Sequence, residues 1–160
     1  MRKIITNTTP ILSLLKIDKL DLLKELYGKV TVPNAVYQEI EKGKHKPYYQ
    51  DLKQLDWIEI EHIKNPDSLA FFVDLDAGEA EVLILAKEQN AYLVILDEIM
   101  GRRYAKQLEL NLTGTLGVLL KAKEKGIINS IREILTELIE KGTWLNPKLV
   151  KKVINLSNEG

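Results

Sequence analysis

Short apolar runs of strand length alternate with amphipathic stretches of helix length from one end of the chain to the other, and that alternation leaves few folds open. Lys3-Ile4-Ile5-Thr6 and Tyr92-Leu93-Val94-Ile95-Leu96 read as strands buried on both faces, the signature of a parallel sheet. Val30-Thr31-Val32 and Leu110-Asn111-Leu112-Thr113 are shorter strands, while Trp57-Ile58-Glu59-Ile60-Glu61 alternates strictly, as a half-exposed peripheral strand does. Between them lie helical stretches. Pro10 is placed to open the first, and Asp18 to cap a second that carries Leu20, Leu22, Leu23 and Leu26 and stops at Gly28. Pro33-Asn34 starts a third through Val36 and Ile40 to Gly43, and Asp76-Ala77-Gly78-Glu79 starts a long fourth. Met100, Tyr104 and Leu108 follow at four-residue spacing, Thr115 caps a helix that ends at Gly126, and two amphipathic helices close the chain, the last capped at Asn146-Pro147. The rhythm implies one α/β domain over residues 1–160, a three-layer α/β/α sandwich around a central parallel sheet.

Composition narrows the chemistry. The chain has no Cys, so it has no thiol nucleophile, disulfide or thiolate metal site, in keeping with a reducing cytoplasm. The start resembles a signal peptide, but Asn7-Thr8-Thr9-Pro10 breaks the apolar region too early for one, and no run is long enough to span a membrane. A cytoplasmic protein with no membrane partner is the expectation. The 23 Lys and Arg balance 23 Asp and Glu, so overall charge gives no support to nucleic-acid binding, which would rest on a local basic patch.

The acidic positions carry the functional argument. Asn7 and Asp97 each end a strand of the inferred parallel sheet, at the edge where open α/β sheets bind ligands. With Glu39 and Glu79 they form a cluster of oxygen ligands suited to a hard cation such as Mg²⁺. Each has a plainer explanation. Asp97 or Glu98 can cap the helix whose apolar face begins at Met100. Asp76 and Glu79 match a capping box, and Gly78 between them hints at a close approach to the backbone. Glu39 flanks the buried stripe of its helix. His45 and His62 have no partner at ligand spacing and read as surface residues. Thr113-Gly114-Thr115-Leu116-Gly117 resembles a phosphate-cradling turn without the ending of a P-loop, with Gly114 serving the turn and Thr115 the cap. Arg102, Arg103, Lys121, Lys123 and Lys125 lie near the same edge, where they either contact phosphates or form solvated faces.

Asn-Thr-Thr-Pro after the first strand, Val32 to Glu39, Gly78-Glu79-Ala80-Glu81, Leu96-Asp97-Glu98, Gly101-Arg102-Arg103 and Thr113 to Gly117 together resemble the PIN-domain superfamily over residues 2 to 155. More narrowly, the chain resembles an uncharacterised prokaryotic PIN-like subfamily of predicted nucleic-acid-binding proteins. The resemblance implies a 5′-nuclease-like core whose acidic cluster holds Mg²⁺ or Mn²⁺ and hydrolyses phosphodiesters. Many such proteins are ribonuclease toxins with an antitoxin partner, and a homodimer is expected on the same ground. Carried over by position, Asn7 stands where the family has its first Asp, and Thr9 matches the nearby hydroxyl residue. Glu39, Glu79 and Asp97 match the remaining acids as catalytic and metal-binding groups. Glu98 is implied as a further ligand, and Thr113, Thr115, Arg102, Arg103 and Lys121 as contacts to RNA or another nucleic acid. Asn7 brings no charge, which predicts weaker metal binding and reduced activity. A PIN-like module that binds without cleaving is the competing reading; a phospho-acceptor receiver is remote, because Asn7-Thr8-Thr9 replaces its acidic pair.

Overall fold

Three consecutive residues with no exposed side chain make β1 (Ile4–Thr6), and burial on both faces places it at the centre of the sheet. In the computed structural model, which describes residues 2–159, β1 pairs with β2 (Val30–Pro33) on one side and β4 (Leu93–Ile95) on the other. β3 (Ile58–Glu61) joins β2 and β5 (Leu112–Thr113) joins β4, so the order is β3-β2-β1-β4-β5 with every pair parallel. β3 is an edge strand with only Ile58 fully buried, as its alternating sequence predicts. The chain winds outward from β1 to β3, then crosses back to β4 and β5. The direction reverses between β1 and β4, and the carboxyl ends of those two strands are where a sheet of this kind places its ligand-binding crevice.

Helices cover both faces. On one side α3 (Asn34–Glu41), α4 (Ala77–Glu88) and α5 (Ile99–Gln107) pack against one another in sequence, with α1 (Thr8–Lys16) against α3. Elsewhere α6 (Thr115–Glu124) gathers α2 (Asp21–Tyr27), α7 (Ile131–Glu140) and α8 (Pro147–Leu156). Ile5, Val94, Ile95 and Leu96 are wholly inaccessible in the core between these layers, each worth roughly 1.5–3 kcal/mol of burial. No helix among the described residues is long and apolar enough to cross a membrane.

Several local expectations need correction. α1 begins at Thr8, two residues before Pro10; a proline in a first turn removes no helical hydrogen bond, so it need not be the first residue. Asp18 does not cap α2. It sits at φ 56°, just beyond the end of α1, where its N–H and that of Lys19 bond back to the Leu15 and Leu14 carbonyls. The buried edge of α5 is Gly101 and Ala105, not Met100, which is exposed. Gly101 is needed there, because a Cβ would lie 2.9 Å from the Leu96 side chain. The cap position of α6 is Gly114 rather than Thr115.

Candidate metal centre

Asn7 follows the last residue of β1, and its N–H donates to the Ile95 carbonyl at 3.0 Å, extending the β1–β4 ladder by one rung. This fixes the residue in the floor of the crevice, 3% exposed. Asn in the cap position of a helix normally bonds a backbone N–H of the first turn. Here it makes no such bond, and its Oδ1 is a buried acceptor with no donor. α1, which begins immediately afterwards, contributes two hydroxyls. Thr8 Oγ1 donates to Glu39 Oε2 at 2.8 Å, and Thr9 Oγ1 donates to Glu98 Oε1 at 2.5 Å. Each threonine thus aims one glutamate.

Glu98 occupies the cap position of α5 but bonds no backbone N–H there, and its Oε2 is a second buried acceptor without a donor. Glu79 is 7% exposed in the first turn of α4. Half of the expected capping box exists, since its N–H donates to Asp76 Oδ1 at 2.8 Å. The returning bond from its carboxyl to the Asp76 N–H is absent. Instead burial, and then the negative charges of Asp76, Glu98 and Glu39, push the Glu79 carboxyl up to about 7. Gly78 keeps the space open: a Cβ would stand 3.3 Å from Asn7 Oδ1 and 3.4 Å from Glu39 Oε2. Glu39 itself is an exposed residue rather than one sheltered beside its helix's apolar stripe, and it reaches the crevice from its rim.

Asp97 has a different fate. Its Oδ1 accepts from the Thr115 N–H at 2.8 Å and its Oδ2 from the Thr115 hydroxyl at 2.6 Å. It caps α6, eighteen residues further on, rather than the helix that follows it. Glycine at 114 allows the approach, because a Cβ would lie 2.5 Å from Asp97 Oδ1 and 3.2 Å from the Arg102 guanidinium. The Thr113–Gly117 turn is therefore not a vacant anion cradle; the Asp97 carboxylate already takes its Thr115 amide. Gly117 leaves room for the Thr113 hydroxyl in the same way. Arg102 donates to the Leu96 carbonyl at 2.8 Å. Arg103 and Lys121 are exposed and bond to no site residue, and Lys121 lies about 9 Å down α6 from its start.

The structure thus brings Asn7, Glu39, Glu79 and Glu98 together around two threonines, with Asp97, Thr113, Thr115 and Arg102 in an adjoining network. Thr8 and Asp76 belong to the cluster although neither was expected in the site; the paired hydroxyls after β1 were the signal for Thr8. The oxygens fit a hard divalent cation: none comes from a soft ligand, two lack any donor, and the carboxylates crowd one another. Among the described residues no three Asp, Glu, His or Cys side chains stand close enough to share one ion, so the Asn7 amide oxygen is needed to complete a ligand set.

Comparison with protein families gives a match to a family described as a PIN domain over residues 3–159. No curated protein matches the chain.

Proposed function

The chain belongs to the PIN-domain family, and on that premise we propose that it is a phosphodiester hydrolase acting on RNA with Mg²⁺ or Mn²⁺. PIN domains generally use divalent metals. The observation that carries the proposal is the pair of buried, donorless oxygens, Asn7 Oδ1 and Glu98 Oε2, on residues that follow the carboxyl ends of β1 and β4. Buried acceptors without donors are rare and costly, and a cation would satisfy both. Asn7 with the carboxylates of Glu39 and Glu98 would hold it, Glu79 standing beside them, and Asp97 would steady the wall of the site through α6. When bound, such an ion acidifies water and offsets charge on the phosphate. Thr8 and Thr9 hold Glu39 and Glu98 in place without loss of their charge. Glu79 titrates near neutrality in the metal-free chain, and a cation beside it would favour its ionised form, ready to accept a proton.

Titration calorimetry with Mn²⁺, run beside cleavage of a labelled RNA, tests this. We expect millimolar or tighter binding, tightened by Asn7→Asp and weakened by Glu98→Gln, with cleavage following in the same order. Absence of both heat and cleavage in the native chain would sink the proposal. The finer assignments travel with it: a cytoplasmic, homodimeric toxin restrained by an antitoxin. Growth arrest on induction, relieved by a small neighbouring gene, is the expected sign of that role.

A second reading draws on Asn7 itself. An amide can turn and offer Nδ2 to a carboxylate, taking the place of a cation and leaving a module that binds without cleaving. On that reading Asn7→Asp, not the native chain, is the form that binds Mn²⁺.

A further inference from the structure

The lysine-rich turn after α3 has no part in the carboxylate cluster, yet it starts at the cluster's rim. Residues 42–50 read Lys-Gly-Lys-His-Lys-Pro-Tyr-Tyr-Gln. The segment is well tied. Lys42, Gly43 and Lys46 donate their N–H groups to Gln38, Ile40 and Gly43, and Tyr49 donates its own to Lys46 at 3.1 Å. The Tyr49 hydroxyl donates to Glu41, which also pairs with Lys44 at 3.2 Å.

Three cavities run end to end along it. The first, about 390 Å³, is lined by Glu39, Asp76 and Gly78 at the carboxylate cluster together with Lys42. The second, about 190 Å³, shares Glu39 and adds Lys46, Tyr48 and Tyr49. The third, about 580 Å³, shares both tyrosines and reaches Lys16 and Lys141, with Asp18 as its one acidic residue. Among the described residues Lys42, Lys46, Lys16 and Lys141 form no ion pair. The Lys16 ammonium lies over the Tyr48 ring, 5.7 Å from its centroid, and Tyr48 and Tyr49 are half-buried against the core.

We propose that this line of cavities is the binding track of a single-stranded polynucleotide that leaves the carboxylate crevice. The lysines meet successive phosphates, and Tyr48 and Tyr49 offer rings to unpaired bases. A duplex keeps its base faces stacked and leaves the tyrosines unused; an acidic peptide uses the lysines and likewise leaves them idle. Because the whole chain is neutral, binding has to come from a local concentration of cations, and residues 42–46 supply one. The proposal rests on the hydrolase reading of the crevice, so its test is run without metal.

Fluorescence anisotropy with a labelled homopolymeric RNA of about a dozen nucleotides, in EDTA, measures the track alone. Lys42→Ser/Lys46→Ser is expected to bind roughly tenfold more weakly and to lower the salt slope by about 1.4, near 0.7 for each phosphate that is no longer neutralised. Tyr48→Leu is expected to weaken binding about tenfold, with Tyr48→Phe close to native and thermal melts confirming that each variant folds. Lys151→Ser/Lys152→Ser, on α8, should bind as the native chain does. An unchanged affinity and salt slope in the Lys42/Lys46 variant overturns the track. So does a native chain that binds no RNA, or one in which polyglutamate competes fully while Tyr48→Leu has no effect. Track-dependent binding without Mn²⁺-dependent cleavage removes the hydrolase reading and leaves the track standing; cleavage with track-independent binding does the reverse.

Discussion

Glu79 and Glu159 both lie beside a helix N-terminus, and their surroundings drive them in opposite directions. At Glu159 the Ile131 N–H, 2.6 Å away, is the strongest influence, and Arg132, Lys123 and Ser130 add to it, bringing the carboxyl down to about 2. At Glu79 burial leads, the neighbouring carboxylates add to it, and the carboxyl rises to about 7 in spite of the favourable helix dipole. Every need of the first carboxylate is met by the protein, so it is a finished cap. The second is left with charge that its neighbours oppose, next to two oxygens that have no donor. Such a group waits for a proton or a cation from solution. A carboxylate's position at a helix start or sheet edge therefore does not separate structure from function; the supply of donors does.

The largest effect should come from titrating Glu79 in metal-free buffer. Its folded pKa lies above the ordinary 4.5, so the native state holds the proton more tightly than the unfolded chain. Stability present below pH 4.5 is lost as the pH rises toward about 7. At about 1.4 kcal/mol per pKa unit, and allowing for screening by the open crevice, we expect a loss of about 2 kcal/mol, or roughly 5 °C in melting temperature. Glu79→Gln should remove that slope, and millimolar Mn²⁺ should restore the native chain above pH 7 but not the variant. If native and variant melting curves run parallel across this window, Glu79 is as well satisfied as Glu159 and the contrast collapses.

A smaller effect separates the neighbours Asp97 and Glu98. Asp97→Ala strips two acceptors from the start of α6 and should cost about 1–2 kcal/mol, as loss of a helix cap does. Glu98→Gln can keep the Thr9 contact and removes a charge with an unanswered oxygen, so without metal it should be neutral or stabilising by under about 1 kcal/mol. Urea unfolding of the two variants reads the difference directly. Equal losses would mean that Glu98 is as structural as its neighbour.

That pair also marks the limit of the sequence. Strand and helix order were legible because a parallel sheet leaves continuous apolar runs, and the carboxyl edge followed from where those runs stop. Which carboxylate turns into the crevice was not legible. Asp97 and Glu98 are adjacent after the same strand, and only the return of β5 beside β4 brings the Thr115 amide within reach of Asp97. The Asp76–Glu79 cap was readable from spacing, whereas the raised pKa of Glu79 depends on burial and on the charges of Asp76, Glu98 and Glu39, the last two far away in the chain. Asp18 misled because a residue that ends one helix in a left-handed turn looks, in sequence, like one that begins the next. The basic turn follows Glu39 directly in the chain, whereas its approach to Lys16 and Lys141 is tertiary.

The smallest effect lies at the other end of the comparison, in acid. Glu159 has a folded pKa below the ordinary 4.5, so its contribution is complete above that value and is lost as the pH falls toward about 2. Glu159→Gln keeps an oxygen for the Ile131 N–H but drops the charge that faces Lys123 at 3.1 Å. The variant should melt slightly lower than the native chain at neutral pH, by about 1–2 °C, with the gap shrinking in high salt. The gap should close as Glu159 protonates between pH 4.5 and 2, and Mn²⁺ should leave it unchanged. A gap that instead widens in acid, or that responds to Mn²⁺, would place Glu159 among the unanswered carboxylates and remove the reference against which Glu79 is judged.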